Sequence, residues 1–309
     1  MENGVVYRST GSWYSVKIKS RFIDCRIKGK LRLKGIKSTN PVAVGDHVTV
    51  ELMKDGQTTI GTISEIQPRQ NYIIRKSVNL SKQTHIIAAN IDQVFLLITL
   101  NNPPTFPAFI DRFLATAEAY QIPAILLFNK MDTYNEEEKV LFSELKNTYK
   151  NIGYPCYDIA ALPGWDTALV KELMQDKVSM FSGHSGVGKS TLVNALSPGL
   201  ALRTAQISEQ HQQGQHTTTF AEMFDLEDGI KIIDTPGIKG FGVVDMEVEE
   251  IGLYFREFLE YKGSCKFNNC THTNEPKCAV IAAVETGEIA MSRYKSYLQL
   301  IASDNQYRS

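Results

Sequence analysis

The 309-residue chain has no run approaching ~18 consecutive apolar residues, which argues against a membrane-spanning helix. Its first residues, MENGVVYRSTGSWYSV, lack the basic-then-apolar layout of a secretory leader. Cysteine is scarce: there are five, and an odd number argues against a closed disulfide framework. Internal repeats and low-complexity tracts are missing too. These absences lead to the expectation of a soluble, intracellular protein with no membrane partner. The length predicts two or three compact units, and 43% hydrophobic against 22% charged residues is enough to bury real cores.

Net charge is also nearly absent, at −1, but it is unevenly spread. Residues 1–82 hold 15 Lys+Arg against 6 Asp+Glu, a balance of +9, and the remainder balances at −10. A basic head on a mildly acidic body suits a polyanionic partner, because clustered Lys and Arg displace counterions from phosphate backbones. A solvated strand face accounts for the same charge equally well.

The head reads as short β-branched and aromatic runs (VVYRS, WYSVKI, DCRIKGKLRL, GDHVTVEL, TIGTISEI) broken by turn signals. Four to six strands without helical period predict a small all-β barrel of the oligonucleotide-binding (OB) type. Arg26, Lys28, Lys30, Arg32 and Lys34 alternate, which places them on one face of a strand. From about residue 86, continuous apolar strands such as IDQVFLLITL and PAILLF alternate with amphipathic helices, the pattern of a parallel sheet covered on both faces. After about residue 248 strands give way to helical periodicity over 249–261 and 279–302. The expected organisation is multidomain: 1–82 a basic OB-like barrel, 83–247 a P-loop α/β domain, and 248–309 a small helical domain.

Gly183-His184-Ser185-Gly186-Val187-Gly188-Lys189-Ser190 fits the G-x-x-x-x-G-K-[ST] phosphate loop and lies between an apolar strand and a helix. Its glycines allow backbone N–H groups to curl around phosphate oxygens. The following helix adds positive dipole, Lys189 reaches the β and γ phosphates, and the Ser190 hydroxyl suits Mg²⁺. Asp234-Thr235-Pro236-Gly237 follows the apolar strand IKII, about 45 residues on. There Asp234 can hold the Mg²⁺ shell through water and the Gly237 N–H can face a γ-phosphate.

Asn129-Lys130-Met131-Asp132 ends another apolar strand and reads as the N-K-x-D guanine motif. Guanine offers two adjacent donors to the acceptor-only carboxylate of Asp132, and adenine does not. In most GTPases this motif comes last. Here it precedes the phosphate loop by more than fifty residues, which implies circular permutation.

The polar stretch RTAQISEQHQQGQHTTTF before Asp234 suits a switch loop. Thr218 is the preferred second Mg²⁺ ligand among Thr217, Thr218 and Thr219, although a threonine run before a strand is also ordinary β sequence. Ile238 stands where Ras-like enzymes carry a water-orienting Gln. His216 is the nearest polar candidate for that catalytic role, against the plainer reading of a solvated loop histidine. Finally Cys265, Cys270, His272 and Cys278 supply three thiolates and one imidazole within fourteen residues, enough to close a tetrahedral, structural zinc shell. Cys25 and Cys156 stand apart and read as ordinary thiols.

NKMD before GHSGVGKST, then GQHTTT, DTPG and C-x4-C-x-H-x5-C: this order resembles the ribosome small-subunit-dependent GTPase family (RsgA, also called YjeQ) over nearly the whole chain. The resemblance implies a cytoplasmic GTPase acting in late maturation of the small (30S) ribosomal subunit. It further implies rRNA binding, hydrolysis stimulated by that particle, GTP and GDP with Mg²⁺ at the active site, and one structural Zn²⁺. Family roles fall on Asn129, Lys130, Asp132, Gly183 through Thr191, His216 and the Cys/His quartet. Two departures stand out: Gln215 where the family usually has Arg, and Ile159-Ala160-Ala161 where a Ser-Ala pair backs the guanine. The chain is expected to act as a monomer. The alternative is a regulatory RNA-binding protein that uses GTP as ligand or switch without significant turnover.

Overall fold

The computed structural model describes residues 1–28, 41–55, 58–76, 84–159, 167–197, 221–234 and 247–308. Seven strands come first: β1 (Glu2–Ser9), β2 (Tyr14–Ile18), β3 (Arg21–Ile27), β4 (His47–Asp55), β5 (Thr58–Ile66), β6 (Tyr72–Lys76) and β7 (Thr84–Ala89). In β2 the side chains follow the period of two that a one-sided strand requires, Tyr14, Val16 and Ile18 being buried with the intervening residues half-exposed.

Next come β8 (Gln93–Ile98), α1 (Pro107–Ala119), β9 (Ala124–Phe128), α2 (Glu136–Asn151) and β10 (Cys156–Asp158). Every residue of β8 and β9 is buried, as their unbroken apolar runs demand. Proline in the first turn starts α1, and a capping box between Asn135 and Glu138 starts α2. Then follow α3 (Ala168–Met174), β11 (Val178–Ser182), α4 (Lys189–Leu196), β12 (Glu222–Asp225) and β13 (Lys231–Asp234).

The C-terminal part contains α5 (Val248–Ile251), α6 (Arg256–Lys262), α7 (Ala279–Thr286) and α8 (Met291–Arg308). Both helical stretches expected here are thus divided. Gly287 adopts a left-handed φ of +82° that ends α7, and Phe255 is extended between α5, with its short 3-10 turn, and α6. Among the described residues no helix is long and apolar enough to cross a membrane.

The chain divides into two compact units. The first comprises Met1–Val94, Ala161–Phe181 and Lys189–Gly242. In it the strands run in the order β11-β13-β12-β1-β2-β3-β5-β4, and β1 also pairs with β4. That last pairing closes β1 to β5 into the five-stranded barrel of an OB fold, with β3 and β5 parallel and its other described pairs antiparallel. Its core contains Val6, Tyr14, Val16, Cys25, Val48 and Ile63, so Cys25 is a packing thiol. β6 and β7 form a separate hairpin beside it, tied in by a buried bidentate pair in which Arg69 donates to both carboxylate oxygens of Asp46 at 2.6 Å.

The second unit comprises Phe95–Ala160, Ser182–Gly188 and Val243–Ser309. It holds β8, β9 and β10 side by side, with β9 and β10 parallel, together with the phosphate-loop segment and the C-terminal helices. Phe255, Phe258, Val280, Ile289 and Tyr297 form its second core, into which Ala115 of α1 also packs.

Candidate nucleotide site and metal centre

The phosphate-loop and guanine motifs meet within the second unit. The side-chain amide of Asn129 donates to the Val187 carbonyl at 2.8 Å, and Asn129 is 1% exposed. Gly188 lies so close that a Cβ there would be 2.3 Å from Asn129 Nδ2, and its φ is +102°. Only glycine combines that backbone with that approach. Gly183 is similarly constrained, since a Cβ would sit 2.7 Å from the Leu97 carbonyl oxygen. Tyr134 backs the motif from below: its hydroxyl donates to the Asn129 carbonyl at 2.8 Å and accepts from the Leu100 N–H at 3.0 Å.

Lys130 sits in the left-handed region at φ +62° and Asp132 lies exposed in the short 3-10 turn that follows. Val187 is buried, Gly183, His184 and Gly188 are half-buried, and Ser185 and Gly186 are exposed. Lys189 opens α4, where Ser190 and Thr191 are exposed. Burial pushes the Lys189 ammonium below its ordinary value, the direction a neighbouring phosphate would reverse. Asp234 ends β13, paired with Glu222 of β12. Lys30, Arg32, Lys34, Ala160, Ala161, Gln215, His216, Thr217, Thr218, Thr219, Gly237 and Ile238 lie outside the described residues.

The turn after β8 did not stand out in the sequence. Lys130 Nζ donates to the Asn102 carbonyl at 2.5 Å, and Asn101 exchanges hydrogen bonds with Thr133 and donates to Glu138 at 3.1 Å. A Cβ added at Gly186 would lie 3.3 Å from Pro103 Cδ, and the His184 ring lies against Phe109 with centroids 3.9 Å apart. Asn-Asn-Pro-Pro at the carboxyl end of a buried strand was the available signal, because ligands of α/β sheets bind outside such ends.

Cys265, Cys270, His272 and Cys278 converge, with their ligand atoms all within 4.8 Å of one another. His272 Nδ1 is 3.3 Å from Cys278 Sγ and 3.6 Å from Cys265 Sγ, and the Cys265 and Cys278 sulfurs are 4.0 Å apart. Bonds of ~2.3 Å to sulfur and ~2.0 Å to nitrogen give tetrahedron edges of about 3.5–3.8 Å, so the quartet fits zinc. Burial draws His272 below its ordinary value, favouring the neutral ligand form. Burial first, then the Cys278 thiol, push Cys270 up to about 12, and a central dication is what reconciles three thiolates at this spacing.

The intervening loop is braced by Glu275. Its carboxylate accepts from the Thr271 N–H and hydroxyl, both at 2.6 Å, and from the Thr273 N–H at 2.9 Å. Burial acts to raise Glu275, but these bonds outweigh it and bring it down to about 2. Tyr294 donates to the His272 carbonyl at 2.8 Å and Tyr297 to that of Thr271, so α8 carries the loop.

Sequence reading also missed a buried ionic cluster. Arg293 of α8, 1% exposed, donates through NH1 to Asp111 of α1 at 2.7 Å and through Nε and NH2 to Glu257 of α6 at 2.6 and 3.0 Å. The Tyr149 hydroxyl of α2 donates to the same Asp111 oxygen at 2.7 Å. Helices α1, α2, α6 and α8 are thereby joined at one point. Burial draws Arg293 down, but Asp111 and Glu257 outweigh it and hold the guanidinium well above its ordinary value. Burial pushes Asp111 up, and the Arg293 charge with hydrogen bonds from Ser296, Arg293 and Tyr149 opposes that.

A guanine motif hydrogen-bonded to a phosphate loop that follows it in the chain defines a circularly permuted P-loop GTPase, here preceded by an OB barrel and followed by a Cys3His centre. The family model described as RsgA GTPase matches residues 66–244, and that of the RsgA N-terminal domain matches residues 3–60. The chain belongs to the RsgA GTPase family. It is 62% identical over 307 residues to the small ribosomal subunit biogenesis GTPase RsgA of Christiangramia forsetii, covering 99% of this chain and 98% of that one. To the protein of the same name in Flavobacterium johnsoniae it is 61% identical, covering 98% and 94%. Among solved structures it is similar to YjeQ from Thermotoga maritima, with 33% identity, TM-score 0.78 and 98% of each chain covered. It is also similar to YloQ, described as a circularly permuted GTPase, with 30% identity, TM-score 0.74, and 99% and 96% covered.

Proposed function

We propose that this chain hydrolyses GTP in the late maturation of the small (30S) ribosomal subunit, binding its rRNA as a cytoplasmic monomer. Three modules share the work: a barrel over 1–82, a GTPase domain over 83–247, and a zinc-binding helical domain over 248–309. The observation that carries the reading is the hydrogen bond from Asn129 to Val187, which supports one pocket for a guanine at one end and a triphosphate at the other. The relatives' shared name, small ribosomal subunit biogenesis GTPase, supports the particle.

In this reading Asp132 accepts from the two guanine donors while Asn129 and Lys130 brace the loops around it. Backbone N–H groups from Gly183 to Thr191 surround the phosphates, and Lys189 offsets charge on the β and γ oxygens. Mg²⁺, when bound, would supply further charge neutralisation, with Ser190, Thr218 and Asp234 as the residues that would hold it. The Gly237 N–H is the donor this reading assigns to the γ-phosphate. His216 holds the attacking water as a neutral imidazole, since Ile238 has no polar atom to do so. Cys265, Cys270, His272 and Cys278 hold one structural zinc.

The test is phosphate release from GTP with and without purified small subunits at low salt. Slow release alone and faster release with subunits is expected. An unaltered rate removes the ribosomal assignment, and nucleotide binding without any release favours a non-hydrolysing switch.

A further inference from the structure

Helix α1 touches the C-terminal helices along one side and the phosphate loop on the other, all within the second unit. Asp111, Ala115 and Glu118 recur on α1 at helical spacing and so share a face. There Asp111 accepts from Arg293 of α8 at 2.7 Å, Ala115 enters the core of Phe255 and Tyr297, and Glu118 accepts from Arg256 of α6 at 2.7 Å. Phe109 precedes Asp111 by two residues, a rotation of about 200° around a helix, so its side chain leaves from the opposite side. Its ring lies on that of His184, with centroids 3.9 Å apart and planes inclined by 32°.

The segments from β8 to β9 meet the phosphate loop at successive residues. Gly183 lies against the Leu97 carbonyl, Gly186 against Pro103, and the Val187 carbonyl accepts from Asn129. Those three contacts use loop backbone, whereas His184 makes contact through its ring. The turn before α1 is tied to itself, since the Thr99 hydroxyl donates to the Pro103 carbonyl at 2.6 Å and the Thr105 N–H to the Thr99 carbonyl at 2.7 Å. Backbone N–H groups bind phosphate best when already aimed at it, because realigning them at each binding event costs affinity. A ring that holds His184 supports that aim, and whatever displaces α1 displaces the ring.

We propose that Phe109 is a positioning residue for the phosphate loop, through which the C-terminal helices set the affinity for guanine nucleotides. The inference rests on the reading of Gly183 to Ser190 as that loop, and adds a control over it exerted from Arg293 and Arg256 by way of α1.

The test is titration of the full chain with N-methylanthraniloyl-GDP, read by fluorescence. Phe109→Ala should weaken binding about threefold to tenfold, the range that loss of an aromatic pair spans, and Phe109→Tyr should restore it. His184→Ala should cost a similar factor. The double variant should lose no more than either single one, since each already breaks the same contact. Arg293→Lys should weaken binding about twofold to tenfold in the native background and have no further effect on Phe109→Ala. Arg256→Gln, at a half-buried pair on the same face of α1, repeats that comparison should Arg293→Lys fail to fold. Losses that multiply in the double variant overturn the proposal. An arginine effect that is missing in the native background, or that persists after Phe109→Ala, does the same. Native affinity in Phe109→Ala removes the proposal alone, whereas a wild-type chain that binds no guanine nucleotide removes the phosphate-loop reading with it.

Discussion

Asn129 and Val187 are 58 residues apart in the chain and share a 2.8 Å hydrogen bond, the contact by which a guanine motif and a phosphate loop become one site. Removing it by Asn129→Ala leaves the buried Val187 carbonyl without that donor, a loss of about 1–3 kcal/mol. GTP and GDP affinities should fall together, roughly ten- to hundredfold. Calorimetric titration with each nucleotide checks this, and a loss confined to GTP would contradict it.

Gly188→Ala should be more severe. Its Cβ would lie 2.3 Å from Asn129 Nδ2 on a backbone with φ +102°, so the loop or the asparagine must move. Guanine-nucleotide binding should be abolished while far-UV circular dichroism keeps its native shape. Gly263, whose added Cβ would meet nothing within 4 Å, is the control. Gly263→Ala should alter stability by less than about 0.5 kcal/mol.

Asp132 is exposed and positioned by the left-handed turn at Lys130. Asp132→Asn exchanges an acceptor for a donor and should move preference from guanine to xanthine nucleotides, which present a carbonyl where guanine has its amino group. Competition between GTP and XTP for the variant decides it, and retained GTP preference would count against the guanine motif.

Arg293→Met should destabilise the second unit by about 3–5 kcal/mol, because the fully buried Asp111 and the half-buried Glu257 would lose their counter-ion. Thermal unfolding reads the loss. Arg293→Lys should recover only part of it, since a single ammonium cannot reproduce the fork that reaches two carboxylates on different helices. Full recovery would show that charge, not geometry, matters at this junction.

Chelation of the metal should lower the unfolding temperature of the C-terminal helices and leave the barrel intact. Cys278 is 5% exposed and belongs to the same core as Phe258 and Tyr297, so a bond from it to the proposed zinc would brace that core. Metal analysis should find one zinc per chain in the wild type and none in Cys278→Ser. Hydrogen exchange should rise in α6, α7 and α8 and not in β1 to β5.

What the sequence determined alone were features written in contiguous residues. Gly183 to Ser190, Asn129 to Asp132 and Cys265 to Cys278 are local strings whose spacing is itself the chemistry. The same holds for the continuous apolar runs of β8 and β9 and the turn-broken strands of the barrel. Helix division at Gly287 was less legible, because apolar periodicity continues across it and only the left-handed backbone marks the break.

Tertiary structure alone decided the rest. The β1–β4 pairing that closes the barrel is a choice among registers, and local propensity does not rank them. Arg293 and Asp111 lie 182 residues apart, and nothing in either neighbourhood tells a buried ion pair from two solvated charges. Tyr7 and Lys17 likewise reach Asp225 only because β1 pairs with β12. The physical reason is common to all three. A short string carries its own residue types and backbone, but a charge or a strand edge acquires its partner from distant chain that packing brings alongside.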